Sequence, residues 1–192
     1  MITDREKIMK NQKSKLILLL SVILAGVVLV AVVQFIRNSS AAKAATTAAK
    51  TFLEEMDDIY LLPEDVRTPT SDVSDEVIAR IQQDIDAAYE KFADPESAHM
   101  KEWKDLEYTL AKNQKDKTRR GFRDNYTVVR VLKSKADKTH ATVQLLCRID
   151  NESADSGKRS LKYHYTISLR KINGSWRVAR MLGEPLGFWN EP

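Results

Sequence analysis

The first hydrophobic pattern along the chain is an unbroken apolar run at residues 16–36. It contains no charged residue, and Leu, Ile, Val and Phe occupy 16 of its 21 positions. A helix of this length spans roughly 31 Å at about 1.5 Å per residue, close to the roughly 30 Å hydrocarbon core of a bilayer. The run therefore predicts one transmembrane helix.

The main alternative for this run is a cleaved signal peptide, because small residues that a peptidase accepts follow at 39–49. The apolar region of a signal peptide is usually only about 7 to 15 residues long, so the length here favours a retained anchor. A lipid anchor is not expected, because Val27 stands where a lipidated cysteine would have to follow Ala25 and Gly26.

Two segments in the middle of the chain have the spacing of amphipathic helices. Ser74 is a suitable N-cap, and Val77, Ile81 and Ile85 repeat at helical intervals after it, which predicts a helix over residues 74–92. A second helix is expected before the basic run that ends near residue 121. Its predicted apolar face consists of Met100, Trp103, Leu106 and Leu110.

From residue 126 onward the apolar positions alternate with polar ones, which is typical of half-buried strands. The alternation predicts four strands at residues 126–133, 139–149, 160–172 and 175–182. Asn173 and Gly174, between the last two strands, are typical of a two-residue type I′ hairpin turn. Strands with such short connections are expected to form an antiparallel meander.

The alternation gives the sheet one apolar and one polar face, and helices are expected to cover the apolar face. The predicted fold class is α+β: a single N-terminal transmembrane helix followed by helices packed on a curved, cone-like four-stranded antiparallel meander. The polar face is left for solvent or for a partner. The inward positions are Ala141, Val143, Leu145, Cys147, Ile149, Leu161, Tyr163, Tyr165, Ile167, Leu169, Trp176 and Val178.

Charge on either side of the apolar run predicts its orientation. Basic residues are more frequent before the run than after it, so the positive-inside rule places the N-terminus in the cytoplasm. We expect a single-pass protein of the cell membrane. Its parts would be a basic cytoplasmic tail at 1–15, the transmembrane helix at 16–36, an Ala-rich helical stalk or linker at 37–51, and one extracytoplasmic domain at 52–192.

The charges of the domain separate along the chain. Residues 38–111 contain 7 Lys and Arg against 17 Asp and Glu, whereas residues 112–192 contain 18 against 8. One interpretation is that two layers of a single fold complement each other. The other is a module that docks acidic or basic neighbours by charge, including further copies of itself.

Two groups of cations are candidate contact residues. The polar sheet face could dock an acidic protein surface, and the basic run before the first strand could contact a polyanion without sequence specificity, although an ordinary solvated surface explains either group. Charge reversal of Arg170 and Arg177 is expected to weaken docking without unfolding the domain. The predicted docking face is Arg148, Lys162, His164, Arg170 and Arg177, and the predicted polyanion contacts are Lys115, Lys117, Arg119, Arg120 and Arg123.

The residues that could support chemistry do not form a catalytic pattern. The inward strand positions include no general base, and the histidines, His99, His140 and His164, have no metal-ligand spacing. Cys147 is expected to be a core residue, and the loop acids Asp150, Glu152 and Asp155 to be a solvated turn rather than a cation site. We therefore expect no enzyme activity, cofactor or metal. Tyr163 and Tyr165 leave open a small cavity for an apolar ligand.

Helices followed by a meander whose last strand opens with Asn173, Gly174, Ser175, Trp176, Arg177 and Val178 resemble the nuclear transport factor 2-like superfamily. With the preceding anchor, the layout resembles the VirB-eight-like assembly factors of type IV secretion and conjugation systems. The resemblance covers residues 52–181. It implies a non-catalytic scaffold that forms oligomers and contacts other envelope subunits. The alternative function is a membrane-tethered module that binds a small ligand or acts as a sensor.

Overall fold

The computed structural model describes residues 4–189, except the side chains of residues 4–22, 25, 35 and 37. The chain divides into two compact units, one ending at Ser40 and one beginning at Ala41. The elements are α1 (Asp4–Glu55), a 3-10 helix (Glu64–Val66), α2 (Asp75–Phe92), α3 (Ala98–Asn113), β1 (Gly121–Ala136), β2 (His140–Ser153), β3 (Gly157–Ile172) and β4 (Ser175–Phe188).

The predicted transmembrane run lies within α1. Among the described residues, one helical segment, Gly26–Glu55, is long and apolar enough to cross a membrane. Its described side chains before residue 41 are exposed, among them Leu24, Leu29 and Val30, each at least 65% accessible. The side chains of residues 16–22, in the first part of the predicted run, lie outside the described part of the chain.

The last turns of α1 belong to the folded domain. Ala45, Ala49 and Phe52 are fully buried in the hydrophobic core. The hydroxyl of Thr46 donates a hydrogen bond of 2.9 Å to Ser134 on β1, which holds this part of the helix against the sheet. The hydrophobic core therefore begins within residues 37–51, which the sequence predicted to be a stalk or linker. These residues are helical, as expected.

The predicted helix at 74–92 is confirmed as α2. The hydroxyl of Ser74 accepts a hydrogen bond from the backbone N–H of Val77, as an N-cap should, and Ile78, Ile81 and Ile85 are buried. The next helix, α3, exists, but its predicted apolar face is wrong at one position, because Leu106 is 48% exposed. The buried positions of α3 are Met100, Glu107 and Ala111.

The four predicted strands form one open antiparallel sheet in the order β1-β2-β3-β4. The predicted strands are confirmed, although β1 begins earlier, at Gly121, and β4 continues to Phe188 instead of ending near residue 182. Asn173 and Gly174 both have positive φ, at 49° and 85°, as a type I′ turn requires. The α+β class and the antiparallel meander are therefore confirmed.

The helices pack on the apolar face of this sheet. Its central strands contribute fully buried side chains such as Val143, Leu145 and Ile167, and the opposite face carries half-buried and exposed polar side chains. The α2–α3 connection is fixed beside β4, since the backbone N–H of Asp94 donates to the carbonyl of Val178 at 2.8 Å.

Candidate functional site

The outer face of the sheet contains the predicted docking residues, but Arg170 is bound within the domain. Its Nη2 donates to Oδ1 of Asp94 at 2.8 Å and to Oε2 of Glu96 at 2.6 Å, and its Nε lies 2.8 Å from Oδ2 of Asp94. Asp94 is only 5% exposed. Arg170 therefore compensates a buried carboxylate, and its charge is not free for a partner.

The other predicted docking residues also contact neighbours in the domain. Arg148 donates to Asp150 at 2.8 Å, and Arg177 donates to the carbonyl oxygen of Glu90. Lys162 lies 5.9 Å from the centre of the Trp189 ring, and His164 Nδ1 lies 3.8 Å from a carboxylate oxygen of Glu184. The structure places all five on the predicted face, but internal contacts engage most of their charge.

Four cations without ion pairs in the described residues lie toward the two edges of the same face. Arg130, Lys133 and Lys135 on β1 and Arg180 on β4 are exposed. Sequence reasoning missed these four residues, because bulges at residues 129 and 132 of β1 and at residue 179 of β4 shift the alternation. We call them the edge cations.

The edge cations flank a neutral polar floor. One cross-strand row runs from Lys135 through Thr142 and Ser168 to Arg180, so both ends of the row are positive and its centre is uncharged. The adjacent row carries Gln144 and Thr166 at its centre. With strands about 4.8 Å apart, the two edges lie roughly 14 Å from each other. This spacing leaves room for a partner segment between positive rims.

The predicted polyanion contacts include one side chain that cannot reach a ligand. Arg120 is 0% exposed, and it donates to the carbonyls of Gln114 (2.8 Å), Thr68 (2.6 Å) and Ser71 (3.0 Å). These bonds tie the end of α3 to the loop before α2. Arg120 is therefore a structural residue, and its predicted role as a surface contact is wrong.

The remaining four predicted polyanion contacts form ion pairs on the surface. Each is near a carboxylate of the same domain, and each is at least 40% exposed. Exposed pairs of this kind contribute little to stability, and they reduce the net positive charge available to a polyanion. The pairs are Lys115 with Asp75, Lys117 with Asp72 (2.7 Å), Arg119 with Asp116 (3.6 Å) and Arg123 with Asp150 (3.5 Å).

A second feature, absent from the sequence predictions, is a pair of buried carboxyl groups inside the domain. Glu107 on α3 is 5% exposed and Asp124 on β1 is 7% exposed. Loss of solvation, with the nearby charge of Asp124, raises the pKa of Glu107 to about 8. Desolvation likewise raises the pKa of Asp124 to about 7, although hydrogen bonds from Tyr60 and Asn151 oppose it.

Tyrosines surround these carboxyl groups. Desolvation, together with the charges of the buried acids, raises the pKa of Tyr60 and of Tyr126, and Tyr89 is affected in the same way by Glu107. Within the described residues, Oε2 of Glu107 and the hydroxyl of Tyr89 have no hydrogen-bond partner. The interior is therefore more polar than the alternation of the strands predicted, and near neutral pH Glu107 is mainly protonated.

Two further acids join the end of α1 to the edge strand β1. The carboxylate of Asp57 accepts a hydrogen bond from the backbone N–H of Tyr126 at 2.5 Å, and that of Asp58 accepts one from the N–H of Asp124 at 2.7 Å. Arg67 donates to Asp58 at 2.8 Å. Partial burial raises the pKa of Asp57 to about 6. These acids satisfy edge N–H groups that would otherwise invite another strand.

The described residues contain no group of three or more His, Cys, Asp or Glu side chains arranged to hold a metal ion. Asp150, one of the loop acids, is bound by Arg148 and Ser160. Cys147 is fully buried, and desolvation raises the pKa of its thiol to about 12, so the thiolate that a nucleophile needs is disfavoured. His99 contacts the carbonyl of Met181 at 2.7 Å.

The tyrosines proposed to line a ligand cavity are packed against each other. The rings of Tyr163 and Tyr165 stack at 5.7 Å, and Tyr165 is 3% exposed. Clefts occur instead in the helical layer. One of about 500 Å³ lies beside α2 and α3 and is lined in part by Tyr89, Pro95 and Met100.

No protein-family model matches the sequence, and a search of curated proteins finds no match. The arrangement offers an outer sheet face with free cations at its edges and a polar interior whose carboxyl groups are enclosed by tyrosines. The first feature is suited to binding a protein surface, and the second to pH-dependent stability.

Proposed function

We propose that this chain is a non-catalytic, membrane-anchored scaffold subunit of a type IV secretion or conjugative DNA-transfer complex. The apolar part of α1 would cross the cell membrane once. The basic residues before it would remain in the cytoplasm, and the domain would act outside the cytoplasm through contacts with other envelope subunits and with copies of itself.

The observation that carries this proposal is the outer face of the sheet. Its edge cations have no ion pair among the described residues, whereas Arg148 and Arg170 on the same face are ion-paired. Charged rims of this kind guide association and select partners more than they add affinity. The uncharged floor of Thr142, Gln144, Thr166 and Ser168 can form hydrogen bonds with a partner but cannot perform acid–base chemistry.

We also propose a more specific fold for the domain. The helices and meander would form the cone-like fold of the nuclear transport factor 2-like superfamily, with Trp176 closing the core at the start of β4. Trp176 is half-buried and packs against the hydrophobic core, which supports such a role. The link to secretion rests on the layout of anchor, helices and meander.

Deletion and co-isolation test the scaffold role directly. The gene would be deleted in the source cell and complemented with the native chain or with a variant carrying Lys133→Glu, Lys135→Glu and Arg180→Glu. We expect deletion to abolish substrate transfer, the native chain to restore it, and the variant to recover fewer envelope proteins on purification. Unchanged transfer after deletion, with no envelope protein co-isolated, would rule out the scaffold role.

The orientation is tested separately by adding protease to cells with a permeabilised outer layer. If the domain lies outside the cytoplasm, it is digested while a tag at the N-terminus is protected. Digestion of the N-terminal tag with protection of the domain would reverse the proposed orientation.

The second candidate is a tethered module that senses a small ligand. The cleft of about 500 Å³ beside α2 and α3 favours it, because the buried hydroxyl of Tyr89, which lines this cleft, has no partner among the described residues. Native mass spectrometry of the chain purified from its own membrane tests the idea. A bound small molecule that is lost in Tyr89→Phe would support a sensor, and an unliganded mass would exclude it.

A further inference from the structure

The domain carries an acidic cleft that complements the charge of its own outer sheet face. The cleft has a volume of about 550 Å³ and lies between α2 and the segment that follows α1, with Asp57, Asp58 and Asp84 among its lining residues. Apolar side chains such as Leu62 and Ile81 also line it. The cleft is therefore an amphipathic depression with acids at its rim.

Some charges of this cleft are already compensated. Arg67 pairs with Asp58 at 2.8 Å, and Lys91 lies 3.7 Å from Glu55. Arg80 also lines the cleft, one helical turn from Asp84. Because these pairs neutralise Asp58 and Glu55, only the acids without an ion pair can attract the cations of a partner.

The unpaired acids outnumber the unpaired cation of this region. Asp84 lines the cleft and is exposed. Glu54 and Glu64 are next in the chain to the lining residues Glu55 and Pro63, Asp65 follows Pro63 by two positions, and all three are exposed. None of these four forms an ion pair within the part of the chain that the structure describes. We call Glu54, Glu64, Asp65 and Asp84 the rim acids.

The edge cations and the rim acids lie on different surfaces of the domain. The edge cations are on the outer sheet face, and the rim acids are in the helical layer, which packs on the opposite face of the sheet. One copy cannot bring the two surfaces together. Two copies can, because the edge cations of one copy can contact the rim acids of the other. Such an interface joins two different surfaces, so one copy at the end still has unused edge cations and the copy at the other end still has unused rim acids.

We propose that copies of this chain associate head to tail, with the edge cations of one copy docked on the rim acids of the next. The inference rests on the proposed scaffold function and specifies one of its partners. Exposed apolar residues next to the edge cations, Val129 (46% exposed) and Leu132 (40% exposed), would be covered by the acidic cleft of the neighbour. Repetition of this contact produces a ring or a row of subunits, as a scaffold requires.

The test uses the full chain in detergent micelles and sedimentation equilibrium at low and high salt. We expect the native chain to self-associate at about 0.05 M salt and to dissociate at about 0.5 M, because charges at an exposed interface are screened. The basic-face variant carries Lys133→Glu, Lys135→Glu and Arg180→Glu. The acidic-rim variant carries Glu64→Lys, Asp65→Lys and Asp84→Lys, and each alone should lose at least about tenfold in association constant.

Mixing the two variants distinguishes head-to-tail from symmetric association. The basic-face variant retains its rim acids and the acidic-rim variant retains its edge cations, so an equimolar mixture can form the native contact. The reversed surfaces of the two variants also complement each other, so the mixture should form assemblies larger than a dimer, and all six substitutions in one chain should restore self-association. A symmetric contact of one surface with itself predicts at most a dimer in the mixture and no recovery in the chain with six substitutions.

A control matched to the basic-face variant has the same change in charge away from both surfaces. Lys101→Glu, Lys112→Glu and Arg159→Glu alter exposed residues of α3 and of the start of β3, and this variant should self-associate like the native chain. A monomeric native chain at low salt, variants that associate normally, or a mixture that stays monomeric would overturn the inference. Recovery of other envelope subunits and substrate transfer are measured separately, so the scaffold proposal can stand if the head-to-tail contact fails.

Discussion

Arg170 on β3 holds the buried carboxylate of Asp94 with one hydrogen bond of 2.8 Å and a second close contact of 2.8 Å. The pair joins the polar face of the sheet to the α2–α3 connection. Because Asp94 is 5% exposed, it would be left in a poorly solvated site without Arg170. The sequence-based expectation that reversal of this charge leaves the fold unaffected therefore needs a direct test.

We predict that Arg170→Glu destabilises the domain, because it removes the partner of the buried Asp94 carboxylate and adds a second negative charge. Urea unfolding of the full chain in micelles, followed by tryptophan fluorescence, measures the change. Arg180→Glu is the control, since Arg180 is exposed and has no ion pair in the described residues. Equal stability of the two variants would show that the Arg170–Asp94 pair contributes little.

Arg120 provides a second test of a buried cation. Its replacement by Met in Arg120→Met leaves the carbonyls of Gln114, Thr68 and Ser71 without their donor. We expect a loss of about 3–5 kcal/mol in the free energy of unfolding, measured by urea unfolding. Lys117→Met, a change at an exposed pair of the same basic run, should leave the stability nearly unchanged. A polyanion-binding role for Arg120 would predict a stable Arg120→Met variant with weakened binding.

Local signals predicted some of this fold well. Ser74 and the spacing after it located α2, and Asn173 with Gly174 located the last hairpin, because an N-cap and a type I′ turn depend on residues close in the chain. Burial of Arg120 depends instead on carbonyls about 50 residues away, at Thr68 and Ser71. A basic run gives no local sign of such partners.

Glu107 shows the same limit for the interior. The apolar spacing of α3 favoured a face through Leu106, whereas tertiary packing buries Met100 and Glu107, two helical turns apart. Polar residues are usually exposed, so Glu107 was not expected on the buried face of α3. The one available signal was that residue 107 follows Met100 by seven positions, which places both on one face.

Because of its buried carboxyl groups, the domain is expected to lose stability as the pH rises. The pKa of Glu107 is raised to about 8 and that of Asp124 to about 7, so the folded state retains protons that the unfolded state has released. The stabilisation that these protonated groups contribute is fully present below the pKa values of the unfolded state. It is lost as the pH rises through the pKa values of the folded state. Between about pH 5 and pH 7 each group lowers the free energy of unfolding by up to about 1.4 kcal/mol per pH unit.

Urea unfolding at four pH values between about 5 and 8 measures this slope. Glu107→Gln keeps the shape of the side chain and removes its titration, so the decline should become shallower. Glu102→Gln is the control, because Glu102 is exposed on the same helix and should leave the slope as in the native chain. Parallel slopes for the native chain and Glu107→Gln would exclude a role for Glu107 in the pH dependence.

Gly183 tests whether the interior beside Tyr165 is packed or open. A Cβ atom built on Gly183 lies 2.7 Å from Cε1 of Tyr165, closer than real contacts allow, and 3.2 Å from its Cζ. The Tyr165 ring cannot move aside easily, because it stacks on Tyr163 at 5.7 Å and lies 6.2 Å from the ring of Tyr126. We therefore expect Gly183→Ala to cost about 1–3 kcal/mol of unfolding free energy.

Thermal and urea unfolding of Gly183→Ala, with Leu182→Ala as the exposed neighbour control, measure this cost. In the Tyr165→Leu variant, Gly183→Ala should cost less unfolding free energy than it does in the native chain, because leucine lacks the ring that the added methyl group would contact. A cavity able to hold an apolar ligand would let the ring shift, and Gly183→Ala would then be as stable as the control. The stability of this one variant thus separates a packed tyrosine cluster from a ligand site between the sheet and the helices.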